Sequence, residues 1–451
     1  MTTEDGSAIW RTSHLPLRPE GPFTLTQQLT RREWTAAIAI LAIVSALMVG
    51  TFVPNQPELT LFDEWVYLDA VDQASSLGVA QRGEPILGEA LEVISCRGVQ
   101  FYGLLGSPCN GPYVSTEYPQ GGITGADIHP PTYFWLTAGV AAAIRSLGIS
   151  EDLLTSSRLA GALWLFLGLL GITILGVELG ARLIGSVGAA AAVAALPLTR
   201  YTNTYITPDN LNLAVGAAVM LTGVRFCRGT WPWWSLFVAG ALAGLFKTQN
   251  ALVVGAAVSL IGWHWLTTRN QTNSTVRLHI AAAAGAASGF VVVQLAWQVA
   301  RSLLAVGDSP AQPGVSVPLS AELLYRETTS FLFRLVGSVT DDADPTIAYF
   351  SAALLVAGCA GAVLYRPVKD FVWGAAAATL LMLVLGSPIL IVVVKIVVGD
   401  AIPSPARYGG SLLPGMAAIT ATAFPSRSRA IGLASFGLVA VAAIATENLM
   451  N

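Results

Sequence analysis

Charge is what this 451-residue chain has least of. Asp, Glu, Lys and Arg together make up 11% of it, against about 25% in soluble globular domains, so an ordinary water-soluble domain is excluded. Lysine is nearly missing, with three Lys beside 21 Arg. That bias, with abundant Ala and Gly, is what a GC-rich bacterial genome produces. The apolar stretches run continuously and do not alternate with polar residues, which excludes a transmembrane β-barrel. The formal net charge is −3 and no basic patch stands out, so nothing invites nucleic acid. Walker and Rossmann glycine patterns and zinc-ligand spacings do not occur, which removes the common nucleotide and zinc chemistries.

What is present is hydrophobicity: 54% apolar residues and a mean hydropathy of +0.62. Apolar runs long enough to cross a bilayer, about 17–25 residues, recur from residue 34 to the end. The fold class is an all-α polytopic membrane protein. Eleven spans are expected near 34–53, 159–177, 183–199, 210–224, 233–246, 251–266, 280–304, 347–365, 371–398, 408–424 and 430–445. Residues 1–33 are polar and read as a cytoplasmic tail, and 34–451 as one transmembrane domain. Thr30-Arg31-Arg32 resembles a twin-arginine signal only superficially, since Glu33-Trp34 and many further spans follow. The first span reads as retained, because no small-x-small cleavage site accompanies it.

With the N-terminus inside, the inner loops carry Arg31 and Arg32, Arg182, Arg225 and Arg228, Arg269 and Arg277, Arg366 and Lys369, and Arg427 and Arg429. Every inner loop then obeys the positive-inside rule. This orientation leaves two long outer loops, 54–158 and 305–346. It also requires Thr132 to Leu147 to stay outside: its uncharged run stops at Ile144 after 13 residues, short for a crossing. The aromatics Tyr133, Phe134 and Trp135 after His129-Pro130-Pro131 suit a helix lying along the interface. Ala321 to Gly337 reads as a second surface helix.

Against this orientation the polar exceptions fall on one face. Arg158, Arg200, Lys247 and Arg407 lie at outer ends of spans, and Lys395 lies near the outer end of its helix. Singly, each reads as snorkelling or helix-end capping; five together suit an anionic headgroup or a lipid phosphate. Three outer segments interrupt apolar sequence with polar residues: Arg200 to Asn210, Lys247 to Asn250 and Pro403 to Tyr408. Polar non-helical backbone at membrane depth survives only where it lines a protein-enclosed space, so an outward-facing cavity is expected.

The acidic pair Asp63-Glu64 stands just after the first span. Leu61, Trp65, Leu68 and Val71 recur at helical spacing, so the pair opens a short amphipathic helix lying on the membrane, with Asp69 and Asp72 on its wet face. Either carboxylate serves as an N-cap or as a general base at the membrane surface. Cys96 and Cys109 share the first outer loop. In an oxidising compartment they close a 14-residue disulfide loop, worth roughly 3 kcal/mol; the alternative is two free thiols. Asp341, Asp342 and Asp344 form either a divalent-cation site or a solvated turn, and His129 alone is a weak metal candidate. No metal site is assigned, and a divalent cation is the one cofactor left open.

In their order along the chain these pieces resemble the GT-C superfamily of membrane glycosyltransferases. That family includes protein O-mannosyltransferases, the aminoarabinose transferase acting on lipid A and the arabinofuranosyltransferases of actinobacterial cell walls. The resemblance rests on Asp63-Glu64 after span one, the His-Pro-Pro-x-Tyr run from His129 to Tyr133, Arg158-Leu159-Ala160, Pro208-Asp209-Asn210, Phe246-Lys247-Thr248 and Arg407-Tyr408. It implies an inverting transfer from a polyprenyl-phosphate sugar to a glycan, lipid or protein acceptor on the outer face of a bacterial plasma membrane. Asp63 or Glu64 is then the base, and Arg158, Arg200, Lys247, Lys395 and Arg407 bind the donor phosphate. His129, Tyr133, Asp209, Asn210, Gln249 and Tyr408 line the substrate pocket. The chain departs from many relatives in showing no sizeable C-terminal outer domain, which leaves the acceptor open. The competing functions are a lipid or sugar flippase and a non-catalytic lipid-binding relative. A transporter would carry charges deep in its spans and repeated halves, and no convincing repeat is seen.

Overall fold

The computed structural model of the chain describes residues 30–61, 63–269, 276–310, 317–336, 346–398 and 401–450. Most of the N-terminal tail and the run Asp341, Asp342 and Asp344 lie outside the described residues. The described residues form helices and isolated bridges, with no strand among them. The first helix, α1 (Arg31–Phe52), opens on a capping box in which Thr30 and Glu33 bond each other's backbone, satisfying end donors that lack helical partners. The outer loop then supplies α2 (Glu64–Ser75), α3 (Glu89–Cys96) and α4 (Thr132–Ser146). A disulfide joins Cys96 to Cys109, with the Cα atoms 4.7 Å apart.

The bundle continues with α5 (Leu153–Leu159), α6 (Gly161–Glu178), α7 (Leu183–Ala194), α8 (Pro197–Thr204), α9 (Asn212–Cys227), α10 (Trp234–Phe246), α11 (Ala251–Thr268) and α12 (Val276–Leu303). It closes with α13 (Ala321–Val336), α14 (Thr346–Tyr365), α15 (Phe371–Val398), α16 (Leu413–Ala421) and α17 (Arg427–Met450). Without a hydrophobic drive between helices in lipid, close approach depends on small residues. Gly240 of α10 and Gly289 of α12 show this: a Cβ on either would lie 2.0 or 2.1 Å from a carbonyl oxygen of the other helix.

Among the described residues, eight segments are long and apolar enough to span a membrane, or nine if the pair α7–α8, bent by 72°, is one crossing. The expected count of eleven is not confirmed, because two of the expected spans are short helices. α10 has 13 residues, or about 20 Å at about 1.5 Å per residue; it stops where Lys247 turns extended, φ −163° and ψ 142°. α16 has nine residues, all buried among other helices, so it has no lipid-facing side.

The two ends of the bundle differ in character. At one end Arg225 and Arg228 reach Glu178 (3.5 and 3.4 Å), Arg182 donates to the Pro425 carbonyl and Arg366 to Thr422. These are the basic residues assigned from sequence to inner loops. At the opposite end the breaks after α8 and α10 meet the 406–412 segment. There Arg301 of α12 pairs with Asp127 of the first loop (2.6 Å), and Arg82 lies 3.6 Å from Asp308.

Two surface-helix expectations change. α2 does not lie on the membrane: it is covered by α3, α4 and α5, and nine of its twelve residues are buried. Asp69, expected on a wet face, is 3% exposed and accepts from the Gln73 amide and the Leu87 N–H; only Asp72 of that pair is exposed. α13 likewise buries Leu323, Phe331 and Leu335, the last two against Gly409, so it packs on the segment that carries Arg407. α4 does show the two faces expected of it. Tyr133, Phe134 and Ala138 are buried, while Trp135 and Leu136 are exposed.

Candidate active site

Three backbone breaks meet at this end. α8 gives way to an extended stretch at Tyr205, and Thr207 then caps the turn Pro208–Leu211 by accepting the Asp209 N–H. α10 gives way to the turn Thr248–Asn250, and Ala406–Leu412 leads into α16. The breaks approach closely because Gly216, on α9, has no side chain: a Cβ there would lie 2.1 Å from the Ser411 carbonyl oxygen.

Asp209 is the centre of the cluster. It is buried, and its Oδ1 meets Lys247 Nζ at 2.7 Å and the Asn212 amide at 2.8 Å. Its Oδ2 lies 3.2 Å from Arg407 Nε and accepts the Thr207 hydroxyl at 3.2 Å. Tyr408 presents its ring to both cations, 5.1 Å from Lys247 Nζ and 5.6 Å from the Arg407 guanidinium carbon, a cation–π arrangement. Two cations stand against one carboxylate here. The Asn210 and Asn212 Oδ1 atoms are buried and accept no hydrogen bond, which leaves acceptors for a hydroxyl-bearing ligand.

Asp63 faces this cluster. It precedes α2 in the left-handed conformation, φ 58° and ψ 15°, and its side chain makes no capping bond. Burial raises its carboxyl above the usual carboxylate range, against the pull of Arg407 and Lys247. A half-buried carboxylate without a capping role, beside two cations, can hold or release a proton. Tyr67, one helical turn further on, shares the surroundings of Asp63, Arg407 and Asp209 and meets His129 Nε2 at 3.3 Å. Burial, reinforced by the Lys247 charge, lowers the His129 pKa to about 3, so its imidazole is neutral. In the sequence Tyr67 is marked only by its spacing of four from Asp63.

Glu64 points elsewhere. It is 0% exposed, and Oε1 accepts from Arg158 Nε (2.8 Å) and the Ile206 N–H (2.9 Å). Oε2 accepts from Arg158 Nη2 (2.7 Å) and the Thr60 N–H (2.9 Å). Arg158, expected among the phosphate-binding cations, is 1% exposed. Besides Glu64, it donates to the Gln56 and Glu58 carbonyls and lies over the Tyr205 ring, 5.0 Å from its centroid. The remaining expected residues divide. The Tyr133 hydroxyl accepts from the Thr207 N–H (3.1 Å) and the Asn210 amide (3.0 Å), so it braces the Asp209 turn. Gln249 lies beside the Tyr408 hydroxyl. Arg200 stands over Phe52, 5.7 Å from the ring centroid, and Lys395 is exposed on α15. Among the described residues, no three or more His, Cys, Asp or Glu are grouped to hold a metal ion.

No protein-family model and no curated protein sequence matches the chain. Among solved structures, the chain is similar to ArnT from Cupriavidus metallidurans bound to undecaprenyl phosphate. That likeness has 17% identity and a TM-score of 0.48, covering 92% of this chain and 64% of ArnT. ArnT in the apo state is similar at 16% identity and a TM-score of 0.44, over 91% of this chain and 63% of that one. The arabinofuranosyltransferase AftD from Mycobacteria is similar at 16% identity and a TM-score of 0.47, over 93% of this chain and 28% of AftD. The chain thus spans less than two thirds of the length of each of these structures.

Proposed function

We propose that the chain is an inverting glycosyltransferase of the bacterial plasma membrane, moving a sugar from a polyprenyl-phosphate donor to a cell-envelope acceptor on the extracytoplasmic side. The observation that carries this reading is Asp63, an uncapped carboxylate set beside the Lys247 and Arg407 cations. Lys247 and Arg407 bind the donor phosphate, and Asp209 holds the two cations in place. Asp63 takes the proton of the acceptor hydroxyl as that oxygen attacks the anomeric carbon. The bond from the anomeric carbon to the phosphate oxygen breaks, and the electron pair leaves with the polyprenyl phosphate. The cations act most strongly as charge grows on that leaving phosphate. Asn210, Gln249, His129 and Tyr408 line the sugar side, while Tyr133 works through the turn it braces. No nucleotide takes part, in keeping with a sequence that carries no nucleotide motif.

The test is incubation of the purified, reconstituted protein with radiolabelled polyprenyl-phosphate sugars and extracted envelope acceptors. Label appearing in acceptor, lost on Asp63→Asn, supports the reading. Label that crosses the bilayer still attached to its lipid would make the chain a flippase. Donor bound without release of label would make it a lipid-binding relative.

A further inference from the structure

The Glu64–Arg158 pair is completely buried, and the mechanism above gives it no chemical part. Its contacts are nevertheless concentrated on the two segments that carry the reacting groups. We infer that this pair positions Asp63 against the Asp209–Lys247–Arg407 cluster, through hydrogen bonds to the backbone on either side, and that neither side chain touches donor or acceptor. The inference rests on the proposed transfer reaction and deepens it.

Four donors reach the Glu64 carboxylate: two from Arg158, one from the Thr60 N–H and one from the Ile206 N–H. An ionised carboxylate offers about four acceptor sites, so none is left to take a proton from an acceptor hydroxyl. Arg158 is similarly engaged. Four of its N–H bonds go to the Glu64 oxygens and to the Gln56 and Glu58 carbonyls, and the Tyr205 ring lies against its guanidinium. A phosphate would have to displace all of these partners at once.

The positions of these partners are what make the pair a positioning device. Thr60 precedes Asp63 by three residues and Glu64 follows it directly, so the carboxylate grips the chain on both sides of Asp63. Ile206 stands three residues before Asp209, and the Thr207 N–H next to it is held by Tyr133. One carboxylate therefore ties the Asp63 turn to the Asp209 turn. Asp63 needs such a grip, because its left-handed backbone, φ 58°, is one that a non-glycine residue keeps only when its surroundings impose it. Released, the turn would relax and carry the base away from the cations.

The test uses Glu64→Gln, Arg158→Lys, Asp63→Asn and the double variant Asp63→Asn/Glu64→Gln of the full chain in nanodiscs. It reads kcat with the labelled donor, affinity for undecaprenyl phosphate and melting temperature. Glu64→Gln should lower kcat by about 10- to 100-fold, the scale of an ångström-sized misplacement, and leave undecaprenyl phosphate affinity within about twofold. In the Asp63→Asn background Glu64→Gln should cost nothing further, because a positioning residue has no effect once the group it positions is gone. Arg158→Lys keeps the charge but cannot bridge the carboxylate and both carbonyls. It should reproduce the kcat loss with phosphate affinity intact, and it carries the test if Glu64→Gln does not fold. In either variant the acid limb of the kcat–pH profile should move upward as Asp63 drifts from the cations, a change that general loosening would not produce. A further multiplicative loss in the double variant would make Glu64 an acid or base in its own right and overturn the inference. So would a tenfold loss of undecaprenyl phosphate affinity in Arg158→Lys. Normal turnover by Asp63→Asn alone would instead remove the base assignment beneath it, which the single variant reports separately.

Discussion

Lys247 Nζ lies 2.7 Å from Asp209 Oδ1, and this contact joins two breaks that interrupt different helices. Asp209 comes from the turn before α9 and Lys247 from the end of α10. Each break exposes polar backbone that would be costly in lipid. Paired, and completed by Arg407, they form a cationic cluster anchored by one buried carboxylate, with Asp63 opposite. The arrangement suits an anionic group that must be held while charge on it increases.

Asp63→Asn is expected to reduce transfer by about 10²–10⁴, the contribution of a positioned base, with undecaprenyl phosphate binding preserved. The amide keeps the shape of the carboxylate but cannot accept the proton. Radiolabel transfer beside equilibrium binding measures both.

Replacing either phosphate-binding cation should act differently. Lys247→Met removes a charged hydrogen-bond donor worth about 1.5–3 kcal/mol, so undecaprenyl phosphate affinity should fall by about 10- to 100-fold. Turnover should fall as well, since the contact is made in both ground and transition states. A variant that lost turnover alone, with affinity intact, would contradict the assignment.

The pH dependence follows from Asp63. Burial raises its carboxyl above the usual carboxylate range, and a base works only when ionised. The rate constant kcat/KM should therefore climb with rising pH through a midpoint above about 3.9, the unperturbed aspartate value. In Asp63→Asn the residual rate should lack that limb.

Asp69 gives a separate test in stability. Burial pushes its carboxyl up to about 7, above the unfolded value of about 3.9. A raised folded pKa means that folding favours the protonated acid. Its contribution is complete below the unfolded pKa and is lost as pH rises through about 7. Asp69→Asn should thus melt higher than the parent at pH 8, with the difference shrinking towards pH 4. An equal difference at both values would show that Asp69 is not the titrating group.

Gly216→Val tests the close approach of α9 to the Arg407 segment. A Cβ at this position would lie 2.1 Å from the Ser411 carbonyl oxygen, so the segment must shift. Overpacking of this kind costs about 1–3 kcal/mol. Donor affinity should fall together with melting temperature, read by undecaprenyl phosphate binding and a thermal melt.

Some of this was legible in the sequence because it depends on local composition. A run of apolar residues long enough to cross a bilayer is a property of that run alone, and eight of the expected spans are long single segments. The polar breaks at Arg200 to Asn210 and at Lys247 to Asn250 were visible for the same reason, since polar residues in apolar sequence need an enclosed place. Lys247, Arg407 and Asp209 could be named as participants, but their mutual contact could not, because no local pattern says which distant charge will neutralise which.

Only the tertiary structure separated Asp63 from its neighbour. Adjacent residues at a helix start point about 100° apart, so one carboxylate must turn towards the cations and the other away. Nothing in the pair Asp63-Glu64 says which does which. That was decided by Arg158 and by the Thr60 and Ile206 N–H groups, which surround Glu64 and leave Asp63 to the site. The same kind of distant packing turned α2 from a surface helix into a buried one, carrying Asp69 inside with it. Hydropathy belongs to a stretch of chain, whereas the state of a charge belongs to the groups that fold brings around it.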